Sequence, residues 1–230
     1  MANTSERLAS TLRSAILTGR LRPGDALPSE RDLAETHEVN RSSVREAVKR
    51  LEAWGLVQVR HGGATKVRDF LLSAGIDLIP HLLEASGPVA PEVLHDLHEV
   101  RAMLLGWSAE QAAVKADAAS ISRLDALVRR MEDARGKAAT LQELDYEFFQ
   151  QLVAITGNRV LALFANVVRD VYLAGRDRFL PMYGPGVFEV GHHQRLVGAL
   201  RARDPAAAGA AMRAHALSPI GLNANGKAPS

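Results

Sequence analysis

Arg41-Ser42-Ser43-Val44-Arg45-Glu46-Ala47-Val48-Lys49-Arg50-Leu51-Glu52-Ala53-Trp54 puts two different faces on one helix. Val44, Ala47, Val48 and Leu51 recur at the three- and four-residue spacing of a single apolar stripe, while Arg41, Ser42, Arg45, Lys49 and Arg50 fall away from it. The segment is expected to bury one side, hold a cationic side to solvent, and stop at Gly55.

Toward the N-terminus, Leu8, Leu12 and Ile16 with Ala9 and Ala15 mark a first amphipathic helix over 5–18. Arg22-Pro23-Gly24-Asp25 supplies a turn, and Ser29-Glu30-Arg31-Asp32 has the Ser-x-x-acid form of a helix start, opening a short second helix that ends by about His37. Glu38-Val39-Asn40 leads into the third. Toward the C-terminus, Leu56-Val57-Gln58-Val59 reads as a strand, His61-Gly62-Gly63 as a hairpin turn and Ala64-Thr65-Lys66-Val67 as the returning strand. Three helices and a two-stranded wing make a winged helix-turn-helix.

Beyond it the chain is expected to be mostly α. Helical periodicity runs through 71–83 and 93–118, the latter with Val93, Leu97, Val100 and Leu104 as its stripe. Further helices are expected at 119–136, 138–156, 159–178, 187–202 and 205–216, with Gly157-Asn158 and Tyr183-Gly184-Pro185-Gly186 as breaks. With no strand-type alternation after Val67, the second domain reads as an all-α bundle. The expected layout is 1–70 for DNA binding, 71–217 for effector binding and dimerisation, and a disordered tail at 218–230.

Composition narrows the function. The 230 residues are 47% hydrophobic and 23% charged, as in globular proteins. The absence of cysteine removes disulfides, thiolate metal sites and cysteine nucleophiles, and no charged-then-apolar leader opens the chain, so the cytoplasm is expected. The longest apolar run, 71–83, contains Asp77, Pro80 and His81 and is too short for a membrane helix, which needs roughly 20 residues. Residues 1–70 hold 12 Lys and Arg against 9 Asp and Glu, and the remainder 16 against 17, so the basic excess is N-terminal.

Arginine can bond two acceptors on one guanine edge, so a helix presenting Arg41 and Arg45 on one face suits the major groove of duplex DNA. Ser42, Ser43 and the backbone N–H groups of the helix start suit phosphate oxygens, and Arg31 can reach an adjacent backbone or base. On spacing alone these arginines could equally form a solvated face paired with Glu46 and Glu52.

The order of motifs, from Leu21-Arg22-Pro23-Gly24-Asp25-Ala26-Leu27-Pro28-Ser29-Glu30-Arg31-Asp32-Leu33-Ala34 through Val39-Asn40-Arg41-Ser42-Ser43-Val44-Arg45-Glu46-Ala47 to Leu51-Glu52-Ala53-Trp54-Gly55-Leu56, resembles the DNA-binding domain of GntR-type bacterial transcription regulators. The resemblance covers about residues 5–69. It implies that Arg31, Arg41 and Arg45 touch DNA, that Asn40, Ser42 and Ser43 match further contact positions, and that His61 and Gly62 form a wing tip directed at the minor groove. It also implies a homodimer on a near-palindromic operator.

The second half resembles, more loosely, the ligand-sensing domain of the FadR subfamily. Its anchors are Arg101, Leu144-Asp145-Tyr146-Glu147-Phe148, Thr156-Gly157-Asn158, His193 and His215. Gly63-Ala64-Thr65-Lys66-Val67-Arg68-Asp69-Phe70, Leu144-Asp145-Tyr146 and Tyr172 are most similar to the branch that regulates fatty-acid metabolism and responds to long-chain acyl-CoA. Many subfamily members hold a divalent metal through one Asp and three His. Asp145, His193 and His215 match three of these positions, and Phe149 stands at the fourth. Three ligands and water would still suit Zn²⁺ or Ni²⁺, with a small carboxylate as effector, but the expectation is that no metal is retained and that Phe149→His gains one. The apolar alternative is a cavity in which Phe148, Phe149, Tyr172 and Phe179 meet an acyl chain and Arg101 or Arg176 meets its polar head.

An enzyme reading would use Asp145, His193 and His215 as a hydrolytic metal site. The chain lacks His-Glu-x-x-His, Gly-x-Ser-x-Gly, a Walker loop and Gly-x-Gly-x-x-Gly, so no enzyme is expected. A nonspecific architectural DNA binder would need more basic charge and no large neutral second domain.

Overall fold

The computed structural model describes residues 4–60, 63–84, 89–174 and 176–218, with the side chains of 89–92, 94, 170–174 and 178 excepted. The described residues fall into two compact units divided between Val93 and Leu94. His61 and Gly62 at the expected wing tip, residues 219–230 of the expected tail and the Tyr172 side chain lie outside the described residues.

The first unit begins with α1 (Thr4–Leu17), α2 (Glu30–Thr36) and α3 (Arg41–Ala53). Local chemistry sets their ends. The Ser29 side chain accepts from Asp32 N at 3.2 Å and Asn40 Oδ1 from Ser43 N at 2.7 Å, each satisfying a backbone donor that a helix start leaves unpaired. Leu8, Leu12 and Ile16 of α1 and Val44, Ala47, Val48 and Leu51 of α3 enter one core with Leu27, Leu33, Leu56 and Val67. The wing is shorter than its sequence suggests. β1 (Val57–Gln58) pairs antiparallel with β2 (Lys66–Val67), Val57 opposite Val67. The turn after α1 supplies β2 with a second neighbour: Ala26 bridges Lys66, Leu27 N donates to Thr65 O at 2.8 Å and Val67 N to Asp25 O at 2.9 Å.

Residues 70–84 form three short pieces instead of one periodic helix: α4 (Phe70–Ser73), a 3₁₀ turn (Ile76–Leu78) and α5 (Ile79–Glu84). Ala74 and Gly75 take extended backbone between them, and Leu71 and Leu72 are exposed. The first compact unit nevertheless runs past the boundary expected at Phe70, because Phe70, Ala74, Leu78 and Leu82 pack on its core. Gly55 shows why α3 and α4 can meet: its φ of +72° ends α3, and a Cβ there would stand 2.4 Å from Ser73 O.

α6 (Val89–Lys115) crosses the division. The second unit adds α7 (Ala118–Asp133), α8 (Ala138–Thr156), α9 (Arg159–Ala174), α10 (Arg176–Phe179), a 3₁₀ turn (Leu180–Tyr183), α11 (Gly191–Ala202) and α12 (Pro205–Leu217). It is the expected all-α bundle, centred on Leu124, Met131, Phe148, Leu152, Leu196, Leu200 and Met212. The buried stripe of α6 differs from the expected one. His98, Ala102, Leu105, Ala109, Ala112 and Ala113 are buried, whereas Val100 is exposed. Close helix approach explains the small residues: a Cβ at Gly209 on α12 would stand 2.4 Å from Glu110 Oε1 on α6. Among the described residues no helix is long and apolar enough to cross a membrane.

Candidate functional site

Two groups of side chains carry chemistry, one in each unit. In the first, α3 points Val44, Ala47, Val48 and Leu51 into the core and leaves Arg41, Ser42 and Arg45 exposed on its other side, with Ser43 half-buried. Asn40 is the N-cap, so its Oδ1 is committed to the helix while its amide N–H₂ carries no such bond in the cap. The acidic partners differ from those expected. Arg45 Nε donates to Glu30 Oε2 of α2 at 2.9 Å, and Arg31 Nε lies 3.6 Å from Asp32 and 4.0 Å from Glu35. Glu46 pairs with Lys49, and Glu52 accepts from Val59 N at 3.0 Å.

In the second unit Asp145 is the hub. It sits on the inward face of α8 with Gln142 and Phe149, three residues before it and four after. Its Oδ1 accepts from His193 Nε2 and His215 Nε2, each at 2.9 Å, and its Oδ2 from Arg101 Nη2 at 2.9 Å and Tyr183 Oη at 2.8 Å. Arg101 Nη2 also stands 3.0 Å from His215 Nε2. α6, α8, the 3₁₀ turn, α11 and α12 thus meet on one carboxylate. The two imidazoles cross edge-on, 4.4 Å between ring centroids, with Phe148 against His193 and Phe188 against both.

Burial alone would raise the Asp145 pKa. His215, the hydrogen bonds from His193 and His215, and the Arg101 charge outweigh it and hold the carboxyl well below the usual carboxylate range. Burial pushes His215 down to about 3 although Asp145 pulls it up, and the arginine charge beside Asp145 is that of Arg101.

The sequence brought Arg101, Asp145, Phe149, His193 and His215 to this place. Arg176 is elsewhere: exposed, it pairs with Glu143, and its backbone oxygen accepts from Gln142 Nε2 at 2.9 Å. Tyr183, Phe188 and Gln142 escaped the sequence reading. Tyr183 was hidden in the Tyr-Gly-Pro-Gly break, where the glycines and proline signal a loop and give no hint of a buried hydroxyl. Tyr183 and Phe188 also line an open groove of about 500 Å³ that Arg135, Leu141 and Val190 continue.

The donor set converges but does not fit a divalent metal. Zinc sits about 2.0–2.2 Å from imidazole and carboxylate donors, which sets two donors of a tetrahedral ion about 3.3 Å apart. Here the imidazole nitrogens are at hydrogen-bond distance from one oxygen, a guanidinium nitrogen lies against two of the three donors, and the fourth position is the buried ring of Phe149. A metal-bound histidine also needs an acceptor for its other ring N–H, and buried His193 Nδ1 has none among the described residues.

Residues 4–67 match the gntR family of bacterial regulatory proteins and residues 96–218 match the FCD domain. An HTH-type transcriptional regulator of Mycobacterium tuberculosis is 36% identical over 212 residues, covering 91% of this chain and 85% of the relative. A fatty acid metabolism regulator protein of Klebsiella pneumoniae is 30% identical over 166 residues, covering 72% of this chain and 68% of the relative. The solved Escherichia coli McbR/YncC structure shares the fold, with a TM-score of 0.50 and 17% identity over 96% of each chain. The two sequence relatives are named as regulators and not as enzymes. The chain belongs to the gntR family of bacterial transcription regulators, in the subfamily that carries an FCD domain, as FadR does.

Proposed function

We propose that the chain is a homodimeric regulator of fatty-acid metabolism, in which two winged domains read the half-sites of a near-palindromic operator and a long-chain acyl-CoA in the bundle changes their relation. One observation carries the DNA half of this reading: Arg41, Ser42 and Arg45 are exposed along the start of α3 while its opposite face is buried. A capped helix N-terminus adds backbone N–H groups for a phosphate. Arg41 and Arg45 take the base edges, Ser42, Ser43 and Asn40 the backbone, Arg31 the flanking phosphate or base, and His61 and Gly62 the minor groove.

The fatty-acid half is supported by the Klebsiella relative and by Phe149 in place of a fourth metal ligand. The effector residues are Arg101, Asp145, Phe149, His193 and His215, with Tyr172 and, from outside this cluster, Arg176 as further contacts, and the groove beside Tyr183 and Phe188 as the acyl entrance. A second copy of the chain is supported by an exposed stripe on α6. Val100, Met103, Trp107 and Val114 are spaced as the apolar positions of a two-helix seam.

Selection of duplexes from a random pool by the full-length protein tests this reading. Enrichment of two inverted half-sites about one helical turn apart, bound by two chains, is the expected result. Equal recovery of all sequences, or one chain per duplex, contradicts it.

A further inference from the structure

We propose that Arg101 is a built-in counter-cation that occupies the place of a divalent metal in the Asp145–His193–His215 cluster, so that this regulator is metal-independent and becomes a metal binder when that one guanidinium is removed. The geometry is the ground for it. Three groups of the kind that ligate metals, Asp145, His193 and His215, converge within 4.8 Å and are all buried. Such a cluster contains one buried negative charge and requires a positive one, because an uncompensated carboxylate in an apolar interior is expensive. Arg101 Nη2 meets that need from α6, at 2.9 Å from Asp145 Oδ2 and 3.0 Å from His215 Nε2. A dication held by Asp145 and His215 would face a fixed guanidinium at close range, and like charges at that distance repel strongly where little water screens them.

The remaining neighbours favour the same assignment. Tyr183 Oη donates to Asp145 Oδ2 at 2.8 Å, using the carboxylate oxygen that a second coordination bond would need. Phe149 places a ring one helical turn from Asp145, and Phe148 and Phe188 close on the imidazoles, so the cluster has hydrocarbon where water ligands would complete a coordination sphere. Methionine at position 101 keeps much of the arginine stem volume and deletes the charge. Asp145 then keeps its contacts with His193, His215 and Tyr183 but loses the guanidinium charge beside it, which is the condition under which imidazole and carboxylate recruit Zn²⁺.

The inference concerns the resident cation only and stands or falls without any effector or operator, so its failure is separate from that of the regulatory reading. The test uses full-length wild type, Arg101→Met, Arg101→Met/Asp145→Asn and Arg101→Met/Phe149→His, each dialysed against chelator. Zinc is then titrated by calorimetry and the melting temperature followed with and without zinc. Wild type is expected to bind no stoichiometric zinc and to melt at the same temperature with or without it. Arg101→Met is expected to melt lower, to bind one zinc at least tenfold more tightly than wild type, and to regain melting temperature on binding. Adding Phe149→His should tighten zinc further. Arg101→Met/Asp145→Asn should melt above Arg101→Met without zinc and not respond to it, because both charges are gone. Stoichiometric zinc in wild type, a folded Arg101→Met that ignores zinc, or a double variant no more stable than Arg101→Met would each overturn the assignment. The last of these comparisons still decides when Arg101→Met fails to fold.

Discussion

Arg45–Glu30 in the DNA-binding unit and Arg101–Asp145 in the bundle are both arginine–carboxylate pairs at 2.9 Å, and they do opposite things. The first has side chains 65% and 46% exposed, the second 22% and 6%. Water screens the first pair, so it contributes about 0–1 kcal/mol and can be exchanged for a DNA contact at little cost. The second compensates the charge of a buried carboxylate, and removing one partner leaves a charge that little water screens. Distance does not decide what an ion pair is for; burial does. The exposed pair keeps Arg45 available for an incoming partner, and the buried one locks five elements of the bundle together.

The comparison can be broken most sharply at Asp145. Asp145→Ala removes the carboxylate that the half-buried Arg101 guanidinium, His193, His215 and Tyr183 share and is expected to cost about 3–5 kcal/mol in denaturant unfolding. A loss below about 1 kcal/mol would place this pair in the same class as the exposed one.

His98 sharpens the contrast by pH. Burial, then the nearby Arg101 charge, lowers its pKa to about 4, although the hydrogen bond with Ala216 O at 3.2 Å opposes this. The unfolded chain therefore takes up a proton at this residue before the folded one does. Stability from this residue is present above pH 6.5 and is lost as pH falls toward 4, by about 2–3 kcal/mol across that window. Unfolding curves of His98→Gln should be flatter over this window by that amount, and an unchanged slope would refute the assignment.

Arg45→Ala should weaken specific operator binding by about 1–3 kcal/mol and relax base preference at the contacted position. Equal losses on operator and random duplex, followed by anisotropy across a salt series, would make Arg45 a phosphate contact instead. The smallest effect is expected from Glu30→Ala, which should change folding stability by under about 1 kcal/mol because its pair is exposed. A larger loss would show that α2 and α3 depend on this pair.

The two regions also differ in how far sequence alone reveals them. Ser29, Asn40 and the stripe of α3 are local signals, each settled within a few residues, and the structure bears out the helices they mark. The 70–84 segment misled because Leu71 and Leu72 carry helical spacing yet are exposed, while the extended Ala74-Gly75 pair interrupts the helix. Asp145, His193 and His215 came from family resemblance; nothing in their spacing predicts that residues 48 and 38 apart from Asp145 would share its carboxylate with His215 and Arg101. Tyr183 was missed for that reason. Long-range convergence is set by packing of the whole bundle, which no local pattern encodes.

The most direct test of the account is the fluorescence anisotropy of a selected operator with full-length protein while palmitoyl-CoA is titrated at fixed salt. A saturable change in operator Kd of at least about tenfold, a coupling of about 1.4 kcal/mol, is the expected result. Operator binding that stays the same to within twofold at saturating acyl-CoA would contradict it.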